Sequence, residues 1–340
     1  MDVHTAIPLK NFTTMHLGGP ARFFTEVHTP EEVRATYKNA KAQNIPVFVV
    51  GGGSNLIAHD EGYNGLIMHM HISGFEVITD TPSSVTLHIG AGENWDEVVQ
   101  RVVAMNLSGI AAMSAIPGTA GAAPVQNVGA YGQEIADVLD SVEAYDTTTD
   151  SFVTLTADDC GFSYRSSIFR DGERGRYIIT ALTLTLSKSA PQPPFYDSLQ
   201  KYFDARSITF YTPQTIREAV MAIRAEKLPD PSVVANSGSF FKNAVIDDWQ
   251  LQEIKAAHPD LPSYEMADKR AKVPSGWLIE QAGLKGKLLH GMRVYDKNAL
   301  VLVNESAAGY ADLAAARDEI IGAVRDAFHI VIEQEPLEIL

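Results

Sequence analysis

Four short segments hold the side chains that invite chemistry. They are Arg165 in GFSYRSSIF (161–169), Lys227 in RAEKLPDP (224–231), Ser239 and Asn243 in NSGSFFKN (236–243), and Glu335 in the terminal IEQEP (332–336). An arginine fork matches a carboxylate, a lysine supplies a point charge for a phosphate, and serine and glutamate can pass or hold a proton. Singly, each is a residue that any surface carries. Two glycine-rich stretches change that weighing. GGGSN (51–55) places successive glycines where backbone N–H groups can converge on an anion, with Ser54 and Asn55 adding side-chain donors; a plain turn is the alternative. PGTAGAAPVQNVGAYG (117–132) contains four glycines, four alanines and two prolines, too broken for a helix and too small for a core strand. Such a stretch lets backbone approach something closely: either a flat cofactor with its pyrophosphate, with Gln126 and Asn127 as hydrogen-bonding groups, or a second packed layer.

Other chemistries find less support. His69 and His71, two apart in a strand, face the same side and can chelate, but no third ligand is recognisable, and the expectation is no metal. There is no GxSxG elbow and no HExxH helix, and Cys160 follows Asp158 and Asp159, which oppose a thiolate. GGGSN is followed by a loop leading to a strand, so it is not a Rossmann fingerprint.

The elements that must position these residues read as alternating strands and helices. RFFTEV (22–27) and IPVFVV (45–50) are strand-like, and between them Thr29 caps a helix with Pro30 at its first position and Glu31 and Glu32 in its first turn. The stretch 84–92 reads as a strand, Asn94 as the cap of the helix that follows, and 139–147 and 177–187 as strands. A proline-rich connection (187–195) precedes a helix capped by Thr212 and stopped by LPDP (228–231). Beyond it come a loop NSGSFFKN, helices near 247–257, within PSGWLIEQAG and over 309–327, the strand ALVLVN, and a closing strand HIVIEQEPL.

The 340 residues are 45% apolar and 20% charged, with a net charge of −15, enough chain for two or three domains. That charge opposes a nucleic-acid backbone, so an anionic ligand must be held by local donors. A single cysteine fits a reducing cytoplasm, and the N-terminus lacks the pattern of a secretory signal. Residues 102–133 carry no Asp, Glu, Lys or Arg where average composition gives about six. The prolines and glycines among them argue against a membrane span, so this segment is buried or covered by a ligand.

Taken together, NFTTMHLGGPA, GGGSN, HIGAGENW, IPGTAGAAPVQNVGAYG, FSYRSSIF, KLPDP, GSFFKNA, GWLIEQAGLKG, ALVLVN and the closing glutamate segment occur in one order over nearly the whole chain. In this the sequence resembles the UDP-N-acetylenolpyruvylglucosamine reductases, also called UDP-N-acetylmuramate dehydrogenases, in the subclass with a longer tyrosine loop. The resemblance implies an α+β fold: a two-domain FAD-binding module of the vanillyl-alcohol-oxidase-like type (1–70 and 71–228, with the final strand 329–340 packing back near the active site) and a C-terminal α/β substrate domain (229–328). It implies cytoplasmic, bacterial reduction of the enolpyruvyl ether of UDP-N-acetylglucosamine by NADPH through non-covalent FAD, since Ser54 stands where some flavoproteins carry a histidine linked to flavin. No protein partner, nucleic acid or membrane insertion is implied.

The same resemblance assigns residues. Ser239 is the proton donor, with Arg165 and Glu335 holding and polarising the substrate carboxylate; Glu333, two residues away, is the alternative to Glu335. FAD contacts fall on Gly51, Gly52, Gly53, Ser54, Asn55, Pro117, Gly118, Gly121, Gln126, Asn127, Gly129, Ala130, Tyr131 and Arg224, and substrate contacts on Tyr164, Tyr196, Lys227, Asn243 and Asn298. An FAD oxidase of the same superfold and a flavin-free nucleotide-sugar binder are the competing readings, separated by oxygen reactivity and by colour.

Overall fold

The helix signals act where the sequence puts them. Thr29 Oγ1 accepts the Glu32 N–H at 3.1 Å and opens the helix Pro30–Ala42. Asn94 Oδ1 accepts Glu97 N–H at 3.1 Å at the head of Trp95–Ala104. Thr212 Oγ1 accepts Thr215 N–H at 3.1 Å before Pro213–Lys227. Each cap satisfies a donor that the first helical turn leaves unpaired.

The computed structural model describes residues 2–266 and 269–340. The chain forms two compact units, the first made of the N-terminal stretch to Ile7, Ala21–Gly53 and Asn64–Glu226, the second of Pro8–Pro20, Ser54–Tyr63 and Lys227–Leu340. In the first, a five-stranded antiparallel sheet runs in the order Ser151–Thr156, Leu139–Asp146, Tyr177–Ser187, Ser84–Gly90, Phe75–Asp80. Alternation along Ser84–Gly90 turns Val85, Leu87 and Ile89 into the core, where they meet Val98, Val99 and Val102 of the helix Trp95–Ala104. A four-stranded sheet holds His4–Pro8, Pro20–Val27, Tyr63–Met70 and Val47–Val50 in that order, the last two parallel.

The second unit has its own core around Phe240, Phe241, Leu278, Val294, Leu302 and Ile320. One sheet runs Asn236–Ser239, Val301–Asn304, Met292–Val294, Leu288–Leu289, and a smaller one Ala244–Asp247, Arg270–Val273, Tyr264–Glu265. The helices Asp248–Ala257, Ser275–Gln281 and Tyr310–Phe328 complete it.

Two local expectations are corrected. NSGSFFKN is not all loop: Asn236–Ser239 is a strand paired with Val301–Asn304, its irregular register set by Gly238 at φ 71°. HIVIEQEPL is not one strand: Gln334 makes a lone antiparallel bridge to Phe241, and beyond the bend at Pro336, which has no N–H to donate, Leu337–Ile339 pairs in parallel with Leu56–Ala58. Glu335 therefore lies just before the strand rather than within it.

Cys160 is fully buried, and burial with the neighbouring Asp159 charge pushes its thiol up to about 12. A disulfide-exchange reagent at pH 8 should leave the native protein unlabelled and react with one thiol per chain only after denaturation; rapid labelling of native protein would contradict that burial.

Candidate active site

In the first unit the two glycine-rich stretches pack on each other. A Cβ on Gly52 would lie 2.7 Å from Gly118 Cα, and one on Gly51 would lie 2.3 Å from Thr119 Oγ1. Gly121 is equally confined, its would-be Cβ 2.6 Å from Ala91 Cβ, while its N–H donates to Ala91 O at 2.9 Å. Close layer packing thus accounts for the small residues at 118–121. The uncharged stretch before them is core, with Ile110, Ala111, Ala112, Met113 and Ser114 all buried. Residues 125–131 are mostly half-buried and present backbone at the surface of the unit. Pro117 is exposed at the start of this run, and Gly53, at φ 64°, ends the first unit's share of GGGSN.

The segment 125–131 is held by a polar frame. Asn127 is buried in a left-handed conformation (φ 45°); its Nδ2 donates to Glu134 Oε2 at 2.7 Å and Ser163 O at 3.3 Å, and its Oδ1 accepts Ala136 N–H at 3.2 Å. The Asn127 side chain therefore braces the protein itself, as do its backbone groups, the N–H donating to Pro124 O at 3.3 Å and the carbonyl accepting from Arg165. Gln126 Oε1 accepts from the buried Arg170 at 3.3 Å. Arg165, also left-handed at φ 54°, donates from Nη2 to Gly129 O at 2.8 Å and from Nη1 to Asn127 O at 3.4 Å. Neutral carbonyl acceptors position the guanidinium without cancelling its charge. Its guanidinium carbon is 5.6 Å from the Tyr164 ring centroid.

Beside Ala130, Tyr131 adopts φ 49° and meets Tyr196 edge-to-face at 6.0 Å, and its hydroxyl is an electrostatic neighbour of Arg224. Burial lowers the Arg224 pKa, offset by Tyr131 and Asp96. Asp96 is the anchor of this group. It accepts from Arg217 Nη1 at 2.6 Å and Nη2 at 2.9 Å, and from the Ala115 N–H at 2.5 Å. Burial pushes the Asp96 carboxyl up, but the Arg217 bridge and the Ala115 N–H outweigh it and leave its pKa below the ordinary value.

The second unit carries Ser54, Asn55, Lys227, Ser239, Asn243, Asn298 and Glu335. Asn55 O accepts the Leu337 N–H at 2.9 Å, tying the end of GGGSN to the last strand. Ser239 is half-buried in its strand, in a turn that Asn236 pins by accepting Gly238 N–H at 2.8 Å and donating to Val234 O at 2.7 Å. Residues 333–335 run antiparallel to 240–242: Lys242 N–H donates to Glu333 O at 2.9 Å and Glu335 N–H to Phe240 O at 2.8 Å. Glu335 is buried (9% exposed), whereas the Glu333 side chain is 73% exposed and lies 3.4 Å from Lys242 Nζ. Of the two candidates, burial therefore favours Glu335. Asn243 Oδ1 accepts the Ser275 N–H at 3.2 Å at the head of the helix Ser275–Gln281, and Asn298 Oδ1 closes a turn on Leu300 N–H at 3.1 Å. Lys227 ends its helix exposed.

Comparison with known proteins agrees with both halves. Residues 21–155 match the family model of an FAD binding domain, and residues 230–339 that of the UDP-N-acetylenolpyruvoylglucosamine reductase C-terminal domain. A UDP-N-acetylenolpyruvoylglucosamine reductase of Dechloromonas aromatica is 38% identical over 340 residues, 99% of each chain. The chain belongs to the UDP-N-acetylenolpyruvoylglucosamine reductase family. Another reductase of that name, from Shewanella baltica, is 40% identical over 96% of this chain and 94% of its own. In fold, the chain is similar to the crystal structure of the Thermus caldophilus reductase, with a TM-score of 0.67 over 99% of this chain and 98% of that one, at 23% identity. The fold of this reductase is thus an FAD-binding module followed by the family's C-terminal domain, as the sequence resemblance implied.

Sequence reading missed the residues that hold the reductase site from behind. Asp96 looks like any acid in a first helical turn, and Arg170 and Glu134 like surface charges. The one available signal was that Arg217 stands seven residues before Arg224, on the same side of a helix. Asp96→Asn keeps the shape and removes the charge. Urea unfolding at pH 7 should show a loss of about 2 kcal/mol, less than a fully buried pair because the Asp96 side chain is 32% exposed. Because the folded pKa lies below the ordinary 3.8, the wild-type advantage should be full above that value and shrink as pH falls through the folded one. An advantage that grows on acidification would refute the assignment.

Proposed function

We propose that this chain reduces the enolpyruvyl ether of UDP-N-acetylglucosamine to the lactyl ether of UDP-N-acetylmuramate, with FAD resident and NADPH as the hydride source, in the cytoplasm. The observation that carries this reading is the 38% identity to a reductase of that name over 99% of both chains. Residues 1–70 and 71–228 serve as the FAD-binding subdomains and 229–328 as the substrate domain; the C-terminal family match beginning at 230 supports the last boundary, while Pro8–Pro20 and Ser54–Tyr63 pack with the second unit. Among the described residues, no helix is long and apolar enough to cross a membrane.

The residues present fit a flavin nucleotide. Backbone at 51–53 and at Gly129 and Ala130 is bare of bulky side chains, and Arg224 offers a largely desolvated cation beside Tyr131. Gly51, Gly52, Gly53, Pro117, Gly118, Gly121, Gln126, Asn127, Gly129, Ala130, Tyr131 and Arg224, with Ser54 and Asn55, are the residues assigned to hold it. The chemistry that FAD supplies when bound is hydride carriage from NADPH to the terminal alkene carbon.

The chain's own groups handle charge and proton. As hydride arrives, negative charge grows on the adjacent carbon and its carboxylate. Arg165, already fixed on Asn127 O and Gly129 O, meets that charge without reorganising. The Ser239 hydroxyl delivers the proton to the carbon next to the carboxylate, and the buried Glu335 carboxyl polarises the carboxylate. Serine is a weak acid, so Ser239 acts as the last member of a relay. Lys227 meets the diphosphate as a point charge, with Tyr164, Tyr196, Asn243 and Asn298 completing the substrate contacts.

Anaerobic stopped-flow absorbance at about 450 nm tests this in two half-reactions. NADPH should bleach the flavin, and UDP-N-acetylglucosamine enolpyruvate should restore it; recovery only with oxygen would make the protein an oxidase. Ser239→Ala should leave bleaching intact and slow sugar-dependent recovery by roughly a thousandfold, because only that step needs the proton. Equal losses in both steps would remove Ser239 from the role.

A further inference from the structure

The strand Tyr63–Met70 and the residue after it bring His69 and His71 to one side of a sheet, as their spacing requires. The third group that the sequence lacked comes from the neighbouring strand Pro20–Val27. There Val27 O accepts the His71 N–H at 2.9 Å, and this pairing sets Glu26 beside both imidazoles. Glu26 Oε1 lies 3.8 Å from His69 Nδ1 and 3.7 Å from His71 Nε2, and the two ring nitrogens are 2.9 Å apart.

Those three edges describe a nearly closed triangle of ligand atoms. Zinc with nitrogen and oxygen ligands at about 2.0–2.1 Å needs tetrahedral edges of roughly 3.3–3.4 Å, so shifts of a few tenths of an ångström suffice. We propose that Glu26, His69 and His71 form a site for a single borderline divalent metal ion, zinc being the expected occupant, with a fourth position open to water.

The donor set is two imidazoles and one carboxylate, which suits zinc or cobalt and disfavours calcium or magnesium. Supporting contacts surround it. The His69 ring is also hydrogen-bonded to the backbone of Gly51, an outer contact of the kind that orients ligating imidazoles. His28 Nε2 stands 4.0 Å from Glu26 Oε2, and its ring packs on His71 with centroids 5.4 Å apart. The Glu26 and His71 side chains are 49% and 39% exposed, which leaves an entry path. Metal binding requires a lone pair on each of the two facing ring nitrogens, so any proton between them must move to another ring nitrogen or to solvent. The sole cysteine is buried, so a thiolate cannot supply a competing signal.

The test is calorimetric titration of untagged, FAD-loaded protein with Zn²⁺ at neutral pH after chelator treatment and removal of the chelator, with Co²⁺ absorption as a second readout. One ion per chain with a dissociation constant on the order of micromolar or tighter is expected, with cobalt bands of low-coordinate geometry. Glu26→Gln and His71→Gln should each weaken binding at least about tenfold with FAD content unchanged. His290→Gln, at the separate pair with Glu319, should leave it unaltered. Substoichiometric binding, or equal affinity in Glu26→Gln and wild type, would overturn the site. If His71→Gln loses flavin, the exposed Glu26 variant alone decides.

Discussion

One carboxylate holds the flavin side of this molecule in register. Asp96 accepts both nitrogens of the Arg217 fork and the Ala115 N–H, joining a helix start, a second helix and the entry to the small-residue segment. Arg224 rides on the helix that Arg217 anchors, so the position of its charge beside Tyr131 depends on a bond two helical turns away. A bidentate bridge suits this task because it fixes orientation as well as distance. Glycine packing supplies the other half of the constraint. At Gly52 and Gly118 backbone touches backbone, and any side chain would force the layers apart.

In an enzyme with a net charge of −15, any anion must be gathered against the protein's own field, which puts the weight on local donors. Arg165 is held by uncharged carbonyls, and Asn127, Tyr131 and Arg165 all adopt left-handed backbone within one polar frame. Non-glycine residues accept that strain where surrounding bonds over-determine it. Here the bonds of the buried Asn127 to Glu134, Ser163 and Ala136 do so, which explains why an asparagine that reads as a cofactor ligand is spent on the protein.

Much of this was legible because some rules are local. Thr29, Asn94 and Thr212 announced their helices, and the alternation in 84–90 its sheet face, since capping and pleating depend on neighbours in sequence. The glycine-rich segments declared close approach without saying to what, and the structure divides the answer: 118–121 packs on protein, while 125–131 stays accessible. Asp96 with Arg217, and Glu26 with His69, were invisible because their pairing is set by tertiary register rather than spacing. The closing segment misled for a related reason: its apolar alternation suits one strand, but the bend at Pro336 splits it into a lone bridge at Gln334 and the short strand Leu337–Ile339. The resemblance already placed Glu335 ahead of Glu333; the structure adds the difference in burial between them, a property that a shared strand face hides.

The parallel pairing of Leu337–Ile339 with Leu56–Ala58 has a temporal side. On a ribosome adding about 5–20 residues each second, the partner of Leu56–Ala58 emerges about 280 residues later, after tens of seconds. The segments Pro8–Pro20 and Ser54–Tyr63 belong to the unit that this strand completes; Gly19 N–H can bond to His59 O early, but their contacts with Lys227–Leu340 wait until that chain is made. Meanwhile Ala21–Gly53 and Asn64–Glu226 can already settle into their own core. The protein is thus built with an early half that folds during synthesis and a late half whose first pieces are held in reserve until the last residues arrive.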